Sequence, residues 1–210
     1  MKLARLVVLA LAIVAAPALA DDDEGPELVR MRFVERGDDL TVTTKIQKLF
    51  DQGAYQALSS GFPSTIIIGT AVYPKNEREP IAGRAFVRTV VYDLWDEVYV
   101  IRLDEHAKPI KVKFQSEALK ILTSLDDLPI ARNVDLHAED VFYMTMTVKL
   151  NPVDKKTLAE VQRWLSQGTG GGLDRGGAFF GSFVSVFVHP KIADADRVLL
   201  LRSQPFYRPK

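Results

Sequence analysis

The run Tyr92-Asp93-Leu94-Trp95-Asp96-Glu97 sets three carboxylates and two aromatic rings side by side. Carboxylate pairs flanked by aromatic rings are the equipment of glycosidases and sugar-binding clefts. One carboxyl protonates the leaving oxygen while the other serves as base or nucleophile. Asp93, Asp96 and Glu97 are therefore the catalytic candidates, and a small-molecule or glycan-active hydrolase is the enzymatic reading. That chemistry needs the carboxylates to converge in a pocket, with at least one titrating above its ordinary range. The plainer reading is a turn between two strands, with Trp95 covering the edge of the core. Trp95 and Trp164 are the two tryptophans of the chain, and tryptophan is favoured at the centre of protein interfaces. Both are binding candidates, and that role asks for an exposed apolar patch on the order of several hundred Å². For Trp164 the plainer role is packing its helix on a sheet.

Other chemistry is poorly served. His106, His137 and His189 are far apart, each beside a turn or an element end, whereas a metal site draws several ligands together, often from a paired spacing on one helix. The loop Gly168 to Gly177 has a phosphate loop's composition but no lysine, and it follows a helical pattern rather than a strand. It reads as a plain connection, with a lid as the alternative. Gly181-Ser182-Phe183-Val184-Ser185 is the nearest approach to a nucleophile elbow and lacks the second glycine. The acidic start Asp21 to Pro26 lacks the alternating aspartates of a calcium loop and is expected to be solvated and disordered. No cofactor and no metal are expected.

The compartment follows from the first residues. Lys2 and Arg5 precede an unbroken apolar stretch, Leu6 to Val14, and Pro17-Ala18-Leu19-Ala20 supplies small residues at the positions signal peptidase reads. The apolar stretch is shorter than the roughly 20 residues of a membrane-spanning helix. The expectation is a signal peptide over residues 1–20, an acidic segment over 21–27, and one domain over 28–210. The 210-residue chain less those 20 leaves 190, enough to bury a core without a covalent staple. There is no cysteine, hence no disulfide and no lipid-bearing cysteine after the cleavage point. A periplasmic or secreted protein that is not a lipoprotein is expected. Setting aside Lys2 and Arg5, 25 of the 27 basic residues face 27 acidic ones, a balance of −2. Such a chain has no electrostatic footprint for nucleic acid or an anionic membrane, and no later segment is apolar enough to span a bilayer as a helix.

The elements that must position the candidates are mostly strands. Leu28 to Val34 and Leu40 to Ile46 flank the turn cluster Arg36-Gly37-Asp38-Asp39 and read as a hairpin. Asp51 to Ser60 reads as a short helix capped by Asp51, with Gly61 at its C′ position. Thr65 to Tyr73, Ile81 to Tyr92, Glu97 to Leu103 and Ile110 to Phe114 read as strands divided by polar turns. Ser116 to Leu125 is a predicted helix with Ser116 as its cap, and Pro129 to Asn133 a short extended piece. In Val141 to Leu150, Phe142, Met144, Met146, Val148 and Leu150 alternate with more polar neighbours, the clearest strand signal present. Asn151-Pro152 ends it. Asp154 to Gln167 is a predicted helix with Leu158, Val161 and Leu165 as its stripe, Ala178 to Val188 is apolar throughout and leans to helix, and Arg197 to Gln204 is a closing strand.

YDLWDE at Tyr92 to Glu97, LNPV at Leu150 to Val153, LLRSQPF at Leu200 to Phe206 and QALSSGFP at Gln56 to Pro63, together with the signal peptide, resemble a family of exported proteobacterial proteins known as a domain of unknown function (4390). The resemblance implies an exported, sandwich-like domain and carries over no catalytic residues. The expected fold is mainly β: an antiparallel two-layer sandwich, immunoglobulin-like or similar, of seven or eight strands with two or three short helices in its connections. The expected role is a non-enzymatic envelope domain that binds another envelope protein or a peptide, with the acidic hydrolase as the first alternative. A small outer-membrane barrel is the second, allowed by the alternation of Val141 to Leu150.

Overall fold

The computed structural model describes residues 25–152 and 195–208. The expected signal peptide, the helix over 154–167 with Trp164, the glycine loop, Ser182, the apolar run over 178–188 and His189 lie outside the described residues. What is described is mainly β. Two sheets face each other, and two α-helices stand in their connections.

The large sheet has the strand order β1-β10-β9-β4-β5-β6-β7, with β11 alongside β9. Its members are β1 (Glu27–Val29), β4 (Ser64–Pro74), β5 (Ala82–Asp93), β6 (Val98–Leu103), β7 (Ile110–Val112), β9 (Val141–Pro152), β10 (Ala195–Ser203) and β11 (Phe206–Tyr207). The small sheet has the order β2-β3-β8, built from β2 (Arg32–Arg36), β3 (Asp39–Lys45) and β8 (Ser124–Arg132). Helices α1 (Gln52–Ala57) and α2 (Gln115–Thr123) follow β3 and β7. Among the described residues neither sheet closes on itself, so the alternation in β9 serves a sandwich-like pair of sheets and not a barrel. Among the described residues every pairing is antiparallel except that of β1, which runs parallel to β10.

The core lies between the sheets and follows from period-two alternation. Phe142, Met144, Met146, Val148 and Leu150 of β9 line up with Ile66, Ile68 and Val72 of β4 and with Phe86 and Val90 of β5. They meet Leu40 and Val42 of β3, Leu125, Leu128 and Ile130 of β8, and Ala118 and Leu122 of α2. Strand β4 is also buried on its other face, at Ile67, Ala71 and Tyr73, which explains why its sequence reads as a continuous apolar run rather than an alternating one.

Several elements differ from the sequence reading. The segment Leu28 to Val34 is two strands in two sheets, because the chain crosses between them at Arg30 and Met31. The Gln204 side chain makes that crossing stable: its oxygen accepts from the Met31 N–H at 2.9 Å and its amide donates to the Met31 carbonyl at 2.6 Å. The β2–β3 hairpin itself forms as expected, with Arg36 opposite Asp39 and Gly37 at φ 59° in the two-residue turn. Ser116 does not cap α2. The helix begins one residue earlier, its N-cap position is Phe114, and no side chain caps it. The extended piece expected at Pro129 is a full strand, β8, starting directly after α2. Its first half is masked in the sequence by Asp126-Asp127, which look like turn residues. Asp127 sits at φ 50° beside a register shift against β3, and its carboxylate takes the Thr43 hydroxyl at 3.3 Å and Arg36 at 3.2 Å.

No glycine stops α2. Its last carbonyls are taken instead by Arg88, reaching across from the middle of β5. Nη1 donates to the carbonyls of Ile121 and Leu122 at 3.0 Å each and to that of Ser124 at 2.7 Å, while Nη2 pairs with Glu105. A guanidinium at the negative end of a helix satisfies orphan carbonyls and the helix dipole together.

Candidate functional site

Strand β5 ends at Asp93 and β6 begins at Val98, so the acidic-aromatic run is the turn between them. The Asp93 carboxylate builds that turn. Its Oδ1 accepts from the Trp95 N–H at 2.9 Å and the Asp96 N–H at 3.1 Å, a side chain standing in for a backbone turn. The amide of Asp96, then that of Trp95, and the charge of Lys111 hold the Asp93 carboxyl below its usual range. Glu97 closes the turn at φ 52°. Asp96 faces Lys111 at 3.4 Å, with both side chains well exposed. The three candidate carboxylates thus share a turn rather than a cleft. One is engaged by amides, one by a lysine, and the third is exposed on the surface. A depressed, amide-bound aspartate is suited to holding backbone, not to giving or taking a proton near neutrality.

What the turn does present is apolar. Trp95 is 96% exposed and Leu94 62% exposed. Both side chains are exposed on the Asp93 turn, where for Trp95 a covering role over the core edge was the plainer expectation. They are not alone at this end. Phe62 is 77% exposed, Phe114 65% and Tyr55 45%. Three contacts tie the four segments together. Leu94 lies over Gly61, so close that a Cβ there would stand 3.0 Å from Leu94 Cδ1. Gln115, next to Phe114, donates its side-chain amide to the Tyr55 carbonyl. Ser59, just past α1, shares a hydrogen bond of 2.8 Å with the Tyr99 hydroxyl of β6.

Local sequence explains each contributor. Asp51 caps α1 by accepting from the Ala54 N–H at 2.8 Å, and the short helix buries none of its own residues, leaving Tyr55 outward. Gly61, at φ 80°, turns the chain before Pro63 and lifts Phe62 away from β4. Beyond β7 the chain enters α2 through Phe114, whose backbone holds the N-cap position while its ring stays outside. The sequence flagged Trp95. It did not flag Tyr55, Phe62 or Phe114, because each sits at a junction where periodicity is silent; the one available signal was large apolar residues next to Gly61-Phe62-Pro63 and Lys113-Phe114-Gln115.

The other candidates separate from this end. His106 and His137 are exposed in different loops, and among the described residues no three histidine, cysteine, aspartate or glutamate side chains are grouped to hold a metal ion. No helix among the described residues is long and apolar enough to cross a membrane.

The fold and this surface define a β-rich, two-sheet domain with an aromatic end. The family described as Domain of unknown function (DUF4390) matches residues 23–163, about two thirds of the chain, and the chain belongs to it. Comparison with curated proteins and with solved structures finds no match.

Proposed function

We propose that this protein is a non-enzymatic accessory domain of the cell envelope, exported by its N-terminal leader, that binds another protein or a peptide through Tyr55, Phe62, Leu94, Trp95 and Phe114. The observation that carries this reading is Trp95 at 96% exposure on a turn held rigid by Asp93. An indole in water forgoes a burial free energy of about 2–3 kcal/mol. Four further large apolar side chains beside it make an exposed surface on the order of several hundred Å². Rigid aromatic anchors lose little conformational entropy on binding, which is why they dominate interface energetics.

The rim favours a protein over a lipid surface. Asp93, Asp96 and Glu97 stand beside Trp95 with Lys111 as their counter-charge, and carboxylates at the tip of an inserting loop are repelled by anionic lipid. An apolar partner segment flanked by basic residues fits this surface.

The test is site-specific photo-crosslinking in the native cell. A photoreactive residue at position 95 or 62 is expected to give the same discrete adduct. One at Glu79, in the loop after β4, is expected to give none. Adducts no more specific from 95 and 62 than from 79 would remove the reading. The N-terminal residue of the purified protein tests export directly, and cleavage before Asp21 is the expected result.

A further inference from the structure

A cavity of about 360 Å³ opens at the far end of the β4–β5 hairpin from Trp95. It lies on the face of the large sheet turned away from the core, since Tyr73, Tyr143, Thr145 and Arg202 alternate with the core residues Val72, Phe142, Met144, Met146 and Leu201. Its size falls within the range of small-molecule sites. We propose that this cavity binds an organic carboxylate with a flat or apolar body.

The wall is a stack across three neighbouring strands. The rings of Tyr73 and Tyr143 lie parallel, with centroids 5.0 Å apart and an interplanar angle of 5°. The Arg202 guanidinium sits over the Tyr143 ring, 4.0 Å from its centroid. Stacking engages the face of a guanidinium and leaves its edge, a planar fork of N–H donors, free to meet a carboxylate with two parallel hydrogen bonds. A second guanidinium, that of Arg78, lines the cavity from the β4–β5 loop.

Among the described residues, six arginines each meet a carboxylate within 4 Å, namely Arg36, Arg84, Arg88, Arg132, Arg197 and Arg208. Arg78 and Arg202, like Arg30, Arg32 and Arg102, meet none, and Arg78 and Arg202 are the two of these that line the cavity. Thr145 lines the cavity beside Tyr73, whose phenol burial pushes up. The Tyr73–Tyr143 pair and Leu200 supply the apolar wall for the body of the ligand. Glu77, at the same mouth, opposes an anion, and its placement beside Arg78 provides an internal control.

The experiment is a titration of the full protein with N-acetylphenylalanine, followed by two-dimensional NMR of the backbone amides. Saturable shifts are expected at Tyr143, Thr145 and Arg202. The primary amide of the same compound is expected to bind at least about tenfold more weakly, a margin one lost charge-assisted hydrogen bond can produce. Arg202→Gln is expected to weaken the acid by a similar factor, and Glu77→Gln to tighten it. Arg78→Gln, on an exposed loop where folding is not at stake, gives a second reading of the same effect. A short peptide ending in phenylalanine separates two sources of the carboxylate. Binding as tight as the free acid assigns a polypeptide C-terminus, and exclusion assigns a small molecule. No saturable shift at these residues up to millimolar acid, or equal binding of acid and amide, overturns the proposal.

Discussion

Arg88 and Trp95 lie a few residues apart along β5 and its turn, and each occupies the environment expected of the other. The arginine is 2% exposed in the core and the tryptophan 96% exposed at the surface. Hydropathy explains neither. Arg88 is inside because β5 alternation points it at the end of α2, where three carbonyls and Glu105 need its donors. Trp95 is outside on the turn that the Asp93 carboxylate fastens through two backbone amides. A buried charge is thus held by a network inside the fold, while the exposed aromatic ring is left to solvent.

The comparison breaks most visibly at Arg88. Replacing it with methionine leaves the carbonyls of α2 and the Glu105 carboxylate without their donor, and removing one member of a buried pair costs about 3–5 kcal/mol. Urea unfolding should show that loss. The double variant Arg88→Met with Glu105→Leu should recover part of it, since the stranded carboxylate goes too. The orphaned Arg88 Nε and Glu105 Oε2 already mark the pair as imperfectly satisfied. A loss under about 1 kcal/mol for the single variant, within the span of ordinary surface changes and weak hydrogen bonds, would make Arg88 a filler rather than the cap of α2.

Gly61 comes next. At φ 80° any other residue pays the left-handed penalty of about 1–2 kcal/mol, and a Cβ 3.0 Å from Leu94 Cδ1 forces that side chain aside. Gly61→Ala should therefore lower stability by that amount and also weaken partner capture, because it disturbs Leu94, itself part of the proposed binding surface. Stability measured by urea, set against crosslinking yield at position 95, separates the two effects.

How far the sequence reached differs between the same two regions. Strands β4, β5, β6 and β9 were legible because alternation or β-branched runs belong to one strand and need no knowledge of its neighbours. The turn at Asp93 was legible from composition. Membership in the small or the large sheet was not: Leu28 and Phe33 read as one strand, and only Gln204, far away in sequence, holds the crossing at Met31 between them. The stop of α2 was equally hidden, because its cap comes from β5 and not from a local glycine. The aromatic surface was half-visible. Trp95 could be named, but Tyr55, Phe62 and Phe114 join it only through tertiary contacts that place three chain junctions together.

The Asp93 turn makes a prediction in pH. Its carboxyl sits below the unfolded value because the charged form accepts two amides. For such a group the stabilisation is complete above the unfolded pKa, near 3.9, and is lost as pH falls through the lower folded value. The amide resonances of Trp95 and Asp96 should accordingly hold steady from neutrality into mild acid and move together only below that range. In Asp93→Asn, where the side-chain oxygen still accepts but no longer titrates, the acid transition at Trp95 should disappear. If Trp95 moves at the pH of an ordinary exposed carboxylate, Asp93 does not hold the turn.

The smallest effect on stability is expected where the effect on function is largest. Trp95→Ala removes the largest side chain of the aromatic end, yet at 96% exposure the indole contributes almost no burial to the fold. Its loss should change unfolding free energy by no more than about 0.5 kcal/mol, as for other surface substitutions away from structural features. The Asp93 bonds run to backbone amides and survive the substitution. Solubility should rise or stay level, since an exposed aromatic ring has gone. A buried tryptophan would behave in the opposite way, with truncation costing about 3–5 kcal/mol. Urea unfolding of the single variant therefore decides between an indole that serves the core and one held out for a partner. An unchanged midpoint with lost crosslinking at position 62 assigns it to the partner, and a large drop in the midpoint returns it to the core.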